Sequence, residues 1–136
     1  MSQQIVGQGP GNLAPDHEIK QFLAGEAIAI GQVLTIIDAD TTGYTVGLAD
    51  SDDTNDLVIG VAAAAIASGA WGPVIVSGWI PYLVTDGNVT AGCGLCLTAT
   101  AGSAGIATIG THDIFGQALE TDSGTVCTKA LMFKRL

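Results

Sequence analysis

The residues best suited to chemistry in this chain are three cysteines, a run of acids and two histidines, and their spacing decides what each could do. Cys93-Gly-Leu-Cys96 has the spacing of a redox pair or of half a zinc site. A redox pair works at a helix start, where the thiol pKa is lowered. Here Gly92 precedes the motif and a strand-like run follows it, so Cys93 and Cys96, three apart, are expected to face opposite ways. Zinc needs two further ligands, and only Cys127, His17 and His112 remain to supply them. Three cysteines give no disulfide framework, so reduced, buried thiols without a metal are the expectation.

Asp50-Ser-Asp52-Asp53-Thr-Asn-Asp56 resembles the opening of a calcium loop. An EF-hand wants Gly at its sixth position and Glu at its twelfth, and counting from Asp50 those are Asn55 and Val61. A solvated acidic loop is expected, with an irregular cation site as the open alternative. His17 lies in a polar leading segment, and His112 sits in Thr111-His112-Asp113, a polar turn. No nucleophile elbow and no phosphate-binding glycine loop is present. With no assembled constellation, no enzyme activity, catalytic residue or cofactor is expected. Trp71, Trp79 and Tyr82 remain as aromatic candidates. Trp79 reads as core, whereas Trp71 falls in a turn and is the candidate interface aromatic.

Composition narrows the partners. The 136 residues carry 13 acids against four bases, a net charge of −9. Lys20, Lys129, Lys134 and Arg135 are too few to form a phosphate-binding surface, so no nucleic acid partner is expected. An anionic membrane would repel such a chain. Residues 57–84 contain no charge and are long enough to span a bilayer. They are broken by Gly60, Gly69, Gly72, Pro73, Gly78 and Pro81 and flanked by Asp56 and Asp86, so they read as successive buried strands rather than a membrane helix. The leading residues are polar and show no secretory signal.

The elements that must position these residues are short. Residues 1–21 are rich in Gln, Gly, Pro and Asn, lack either period, and read as a flexible arm. Residues 22–136 read as one domain of short strands separated by turn signals. Strands are expected over residues 27–37, 44–48, 57–63, 74–77, 79–84, 95–98, 106–109, 115–119 and 126–133, with turns at Ser68-Gly69 and around Gly78. The fold class is all-β, a small barrel or sandwich. Ala62 to Ala65 alone has the composition of a short helix, a preference that tertiary context can override. One phrase recurs: Ile28-Ala-Ile-Gly31, Ile66-Ala-Ser-Gly69 and Val89-Thr-Ala-Gly92 each precede an apolar strand. Glycine supplies the positive φ of a tight turn, and the phrase is expected to be a turn device used repeatedly within one barrel.

The order FLAGEAIAIGQVL, VIGVA, IASGAWGPVIVSG, VTAGCGLCL and IFGQALETDSGTVCTKALMF, from Phe22 to Phe133, resembles the small capsid decoration (cement) proteins of tailed bacteriophages. In that family a phrase like Gly116-Gln-Ala-Leu-Glu120 precedes a last strand. The resemblance implies a β-barrel that binds the outside of the expanded head and stabilises it. It also implies homotrimers at local three-fold positions and an N-terminal arm reaching onto the major capsid protein. Gln4, Ile5, Val6 and Leu13 would be the contact residues of that arm. Glycines and prolines from Gly7 to Pro15 interrupt it, so only residues 4–6 could pair as an added strand.

The expectation is therefore a structural virion protein, made in the host cytoplasm and carried on the capsid exterior. A carbohydrate- or receptor-binding module of a tail or surface appendage, using Trp71 and Tyr82, is the alternative of another class. The residues of a trimer contact do not follow from the sequence.

Overall fold

The computed structural model describes residues 16–40, 43–51, 57–108, 110 and 112–134. The described chain is all-β. Its strands are β1 (His17–Ala24), β2 (Val33–Asp40), β3 (Gly43–Leu48), β4 (Gly60–Ala62), β5 (Trp71–Ile80), β6 (Leu83–Val84), β7 (Gly94–Leu97), β8 (Ala104–Ile106), β9 (Gly116–Ala118), β10 (Val126–Cys127) and β11 (Ala130–Met132). The strand order β1-β3-β2-β4-β5 closes on itself through an added β1–β5 pairing, giving a five-stranded barrel. Beyond it the sheet continues from β5 through β11, β9 and β7 to β8, and β6 pairs with β10 in a separate ribbon.

The continuation follows the barrel's own path. In the barrel β1 runs parallel to β3, and β3-β2-β4-β5 are antiparallel in turn. In the second half Thr85, just after β6, bridges Ala104 of β8 in parallel, and β8-β7-β9-β11 are antiparallel in turn. Individual backbone bonds repeat as well. Gly31 N–H donates to Ala62 O at 2.9 Å, and Gly92 N–H donates to Ala118 O at 2.8 Å. Ile28 and Ile66 exchange bonds reciprocally, as do Val89 and Asp122. Ile59 N–H reaches Leu34 O at 2.9 Å, and Phe115 N–H reaches Leu95 O at 3.0 Å. The chain is thus two copies of one five-strand unit joined through β5, whose end opens the second copy.

The all-β barrel expectation holds, and the strands beyond the barrel add a repeat of its path. The turn glycines Gly31, Gly69 and Gly92 do hold φ of 83°, 82° and 90°, as the repeated phrase requires. But Gly31 and Gly92 are equivalent positions in different units. A fourth turn of the same form, closed by Ser103 N–H to Thr100 O at 3.1 Å with Gly102 at φ 81°, precedes β8.

Two cores result. One fills the barrel with Phe22, Ile28, Leu34, Val46, Ile59 and Val74. The other holds Leu83, Val89, Leu95, Phe115, Ala130 and Met132 of the second unit together with Val33, Val61 and Ile75 of the first. The wall β2-β4-β5 therefore stands between two cores and is apolar on both faces, which is why the sequence is uncharged from Leu57 to Val84. Among the described residues no helix is long and apolar enough to cross a membrane.

Several boundaries differ from the sequence expectations. Residues 17–21, read as part of the arm, are the start of β1, held by a backbone ladder to β5 (His17↔Gly78 through Leu23↔Trp71) to which His17 and Glu18 add side-chain bonds with Trp79 O and Ser77 Oγ. Residues 74–77 and 79–84 are not two strands parted by a turn. β5 runs through Gly78, whose φ of 91° bends the strand without ending it. The strand expected at residues 106–109 lies earlier, at β8. Ala62 ends β4, and no helix follows it.

Candidate functional site

The residues with chemical potential do not converge. Cys96 and Cys127 are buried and Cys93 is partly so, all three as free thiols. Burial pushes the Cys96 thiol above its ordinary pKa, with Cys93 adding to the shift, and burial likewise raises Cys127. Thiols held in that state are poor nucleophiles and poor metal ligands. Cys127 Sγ donates to Lys129 O at 3.3 Å. The ring Nδ1 of His112 accepts the Thr108 N–H at 2.8 Å, closing a local turn, and His17 Nδ1 donates to Trp79 O at 3.2 Å on β5. Among the described residues no three His, Cys, Asp or Glu side chains lie close enough to hold a metal ion. Of the acidic run, Asp52, Asp53 and Asp56 lie outside the described residues, as do the arm residues Gln4, Ile5, Val6 and Leu13.

The aromatics are placed more clearly. Trp71 is not in a turn but opens β5 opposite Leu23, and it is 51% exposed. Trp79, expected in the core, is only partly buried, because the bend at Gly78 turns it to the outside of the second unit opposite Leu131. Tyr82 lies across Gly31, where an added Cβ would meet both its ring and its carbonyl.

The surface feature that sequence reading missed is the outer face of the wall β7-β9-β11. Cross-strand register sets Trp79, Leu131, Gln117 and Gly94 in one row, all partly exposed. The equivalent row in the first unit is Ile19, Ile75, Val61 and Val33, and its last three members are buried beneath the second unit. At the Gly94–Gln117 end of the second unit's row lies a shallow groove of about 240 Å³, lined by Gly92, Gly94, Ile114, Gly116, Gln117 and Phe133. Gln117 Nε2 spans its floor to donate to Gly92 O at 3.0 Å. Among the described residues no ionisable side chain lines it. The signal for this face is the run Ile114-Phe-Gly-Gln-Ala-Leu119, apolar at positions of both parities, as in the doubly covered Val58-Ile-Gly-Val-Ala62.

These features belong to an all-β chain in which a closed five-stranded barrel is extended by further strands that repeat its path. The fold is that of a solved phage structure, the N base of head fiber gp8.5 of bacteriophage phi29, at TM-score 0.63 and 16% identity over 89% of this chain and 98% of that one. No family model matches the chain, and no curated protein matches it.

Proposed function

We propose that this chain is a structural protein of a tailed-phage head, carried on the outside of the capsid and acting by contact rather than catalysis. The observation that carries the reading is the fold likeness to the head-fiber base, which spans nearly the whole of both chains. The thiols held protonated, the outward Trp71 and the apolar outer wall agree with it. In this reading the chain assembles as a homotrimer, docks on the major capsid protein with its leading segment, and stabilises the expanded head. Its net charge of −9 suits a protein surface and not nucleic acid or an acidic membrane. Contacts repeated over a lattice supply avidity without a deep pocket.

Mixing the purified chain with expanded shells and following their thermal disruption tests this. A higher disruption temperature at saturation is expected, and an unchanged one would sink the proposal. Trp71 also suits a glycan-binding module, and glycan-array binding that is lost in Trp71→Ala without any shell affinity would favour that reading.

A further inference from the structure

We infer that residues 1–15 of this chain act as a strap over its own second unit, lying across the outer face of β7-β9-β11 with Leu13 on Leu131 and Pro10 in the groove. The shape of the wall limits what can cover it. Its row Leu131–Gln117–Gly94 is partly exposed, and Phe133 at the groove's rim is 41% exposed. The groove, about 240 Å³, has Gly92, Gly94 and Gly116 among its lining residues. It falls below the roughly 300–1,000 Å³ of a small-molecule pocket, and it is shallow, so it takes a side chain of an extended segment rather than a whole ligand. A Cβ added at Gly92 would meet nothing within 4 Å, so another backbone can approach that rim closely.

The place where the leading segment joins the fold selects it as the occupant. Asp16 is the first described residue, and its carbonyl accepts the Trp79 N–H at 2.9 Å. Trp79 begins the cross-strand row that continues through Leu131 and Gln117 to Gly94 at the groove. The segment therefore enters the sheet at one end of the row whose other end is the groove. Neighbouring strands lie about 4.8 Å apart, which puts β11 about 10 Å from β1 and β7 about 19 Å from it. Extended chain covers about 3.3 Å per residue. Leu13, three residues before Asp16, thus reaches β11, and Pro10, six before it, reaches β7. Composition agrees. All 13 acids and all four bases lie at or after Asp16, so residues 1–15 bring no charged side chain to a groove whose described lining has none. Solvated tails are kept extended by like charge, and this segment lacks it while holding Ile5, Val6 and Leu13. In the proposed function the same segment docks on the capsid protein, so the strap releases when the shell is met; the inference rests on that reading only for the release.

Nuclear Overhauser contacts in the isotope-labelled full chain, free of shells, test the strap. Contacts from the Leu13 methyls to Leu131 and from Pro10 to Phe133 are expected. Leu13→Asp should lower the docked population at least about tenfold, the worth of burying one leucine side chain. The Gln117 and Leu131 signals should then shift, while Leu34 in the barrel core stays unmoved and the far-UV spectrum is unchanged. Leu13→Ile, which keeps volume and apolarity, should retain the contacts. With Trp71→Phe leaving Trp79 as the sole tryptophan, acrylamide should quench emission more strongly once Leu13→Asp is added. Absence of contacts from residues 1–15 to the wall overturns the inference, and so do wall signals indifferent to Leu13→Asp. Contacts that arise only between a labelled and an unlabelled copy overturn it too, since the segment then serves a neighbour. A wall bare in the free chain and covered only on shells would give the face to the capsid protein, refuting the strap with the proposed function intact. Strap contacts in a chain that leaves shell disruption unchanged would sink the proposed function and keep the strap.

Discussion

The two walls of this protein share a backbone plan and differ in what lies behind them. Val58-Ile-Gly-Val-Ala62 and Ile114-Phe-Gly-Gln-Ala118 occupy equivalent places, and both centre on a glycine with no room for a Cβ. On Gly60 a Cβ would strike Ile75 O, and on Gly116 it would strike Leu131 O. The inward residues, Ile59 and Phe115, fill their own cores in both units. The outward positions differ: Val58 and Val61 are buried, whereas Ile114 and Gln117 are partly exposed and Gln117 is hydrogen-bonded to Gly92 O. A duplicated fold has thus spent one outer wall on joining its halves and left the other for something else. A surface can be inherited whole while its use depends on the neighbour it meets.

Exchanging those outward residues gives the largest expected contrast. Val61→Gln should lower stability by about 3 kcal/mol, since its amide would be buried without partners. Gln117→Val should change stability by about 1 kcal/mol or less, the net worth of one hydrogen bond. Urea denaturation of both variants reads the difference, and equal losses would mean the two walls are covered alike.

The equivalent turn glycines sharpen the comparison at smaller scale. Gly92→Ala should cost about 1–2 kcal/mol for a left-handed alanine, because nothing lies within 4 Å of the added Cβ. Gly31→Ala should cost more, since Tyr82 must also move. Melting temperatures of the pair would show whether the order holds.

A third contrast lies in the thiols. Cys93, partly exposed, should react with a thiol reagent in the native protein, while Cys96 and Cys127 react only on unfolding. Both buried thiols have raised folded-state pKa values, so the stability they lend is present below the ordinary thiol pKa of 9.0 and is lost as pH rises through the folded values. Prompt labelling of all three at neutral pH would contradict this burial.

The smallest effect concerns Glu120 in the second unit. Hydrogen bonds from the Thr128 hydroxyl and from Thr128 N–H hold its carboxyl below the usual value of 4.5. A depressed folded pKa stabilises above the ordinary value, and the contribution fades as pH falls through the folded one. Glu120→Gln should therefore flatten the acid limb of the stability profile below about pH 4.5, as read by denaturation at stepped pH.

Much of the fold was legible in the residues. Period-two runs such as Tyr44-Thr-Val-Gly-Leu48 mark strands, and the phrase ending in Gly31, Gly69 and Gly92 marks turns, because positive φ is a demand that falls on one residue type. The start of β1 was hidden, since His17 to Gln21 carry no period-two apolar pattern and join the sheet mainly through backbone pairing with β5. Gly78 misled for a related reason: the φ that ends a strand elsewhere here only bends one. The candidate face was half-visible, as an apolar run of both parities that sequence cannot assign to a buried or an open wall.

By itself, then, the sequence determined the strand-and-turn grammar, the acid-heavy first half and the absence of familiar catalytic motifs, since these depend on residue type and near neighbours. Only the tertiary structure decided that the path is walked twice, that β5 belongs to both units, and that one wall lies between cores while its counterpart lies open. The duplication is held in hydrogen bonds between backbone groups far apart in the chain. Those bonds, such as Gly31 to Ala62 and Gly92 to Ala118, constrain side chains so weakly that Val33 and Gly94 can occupy the same place.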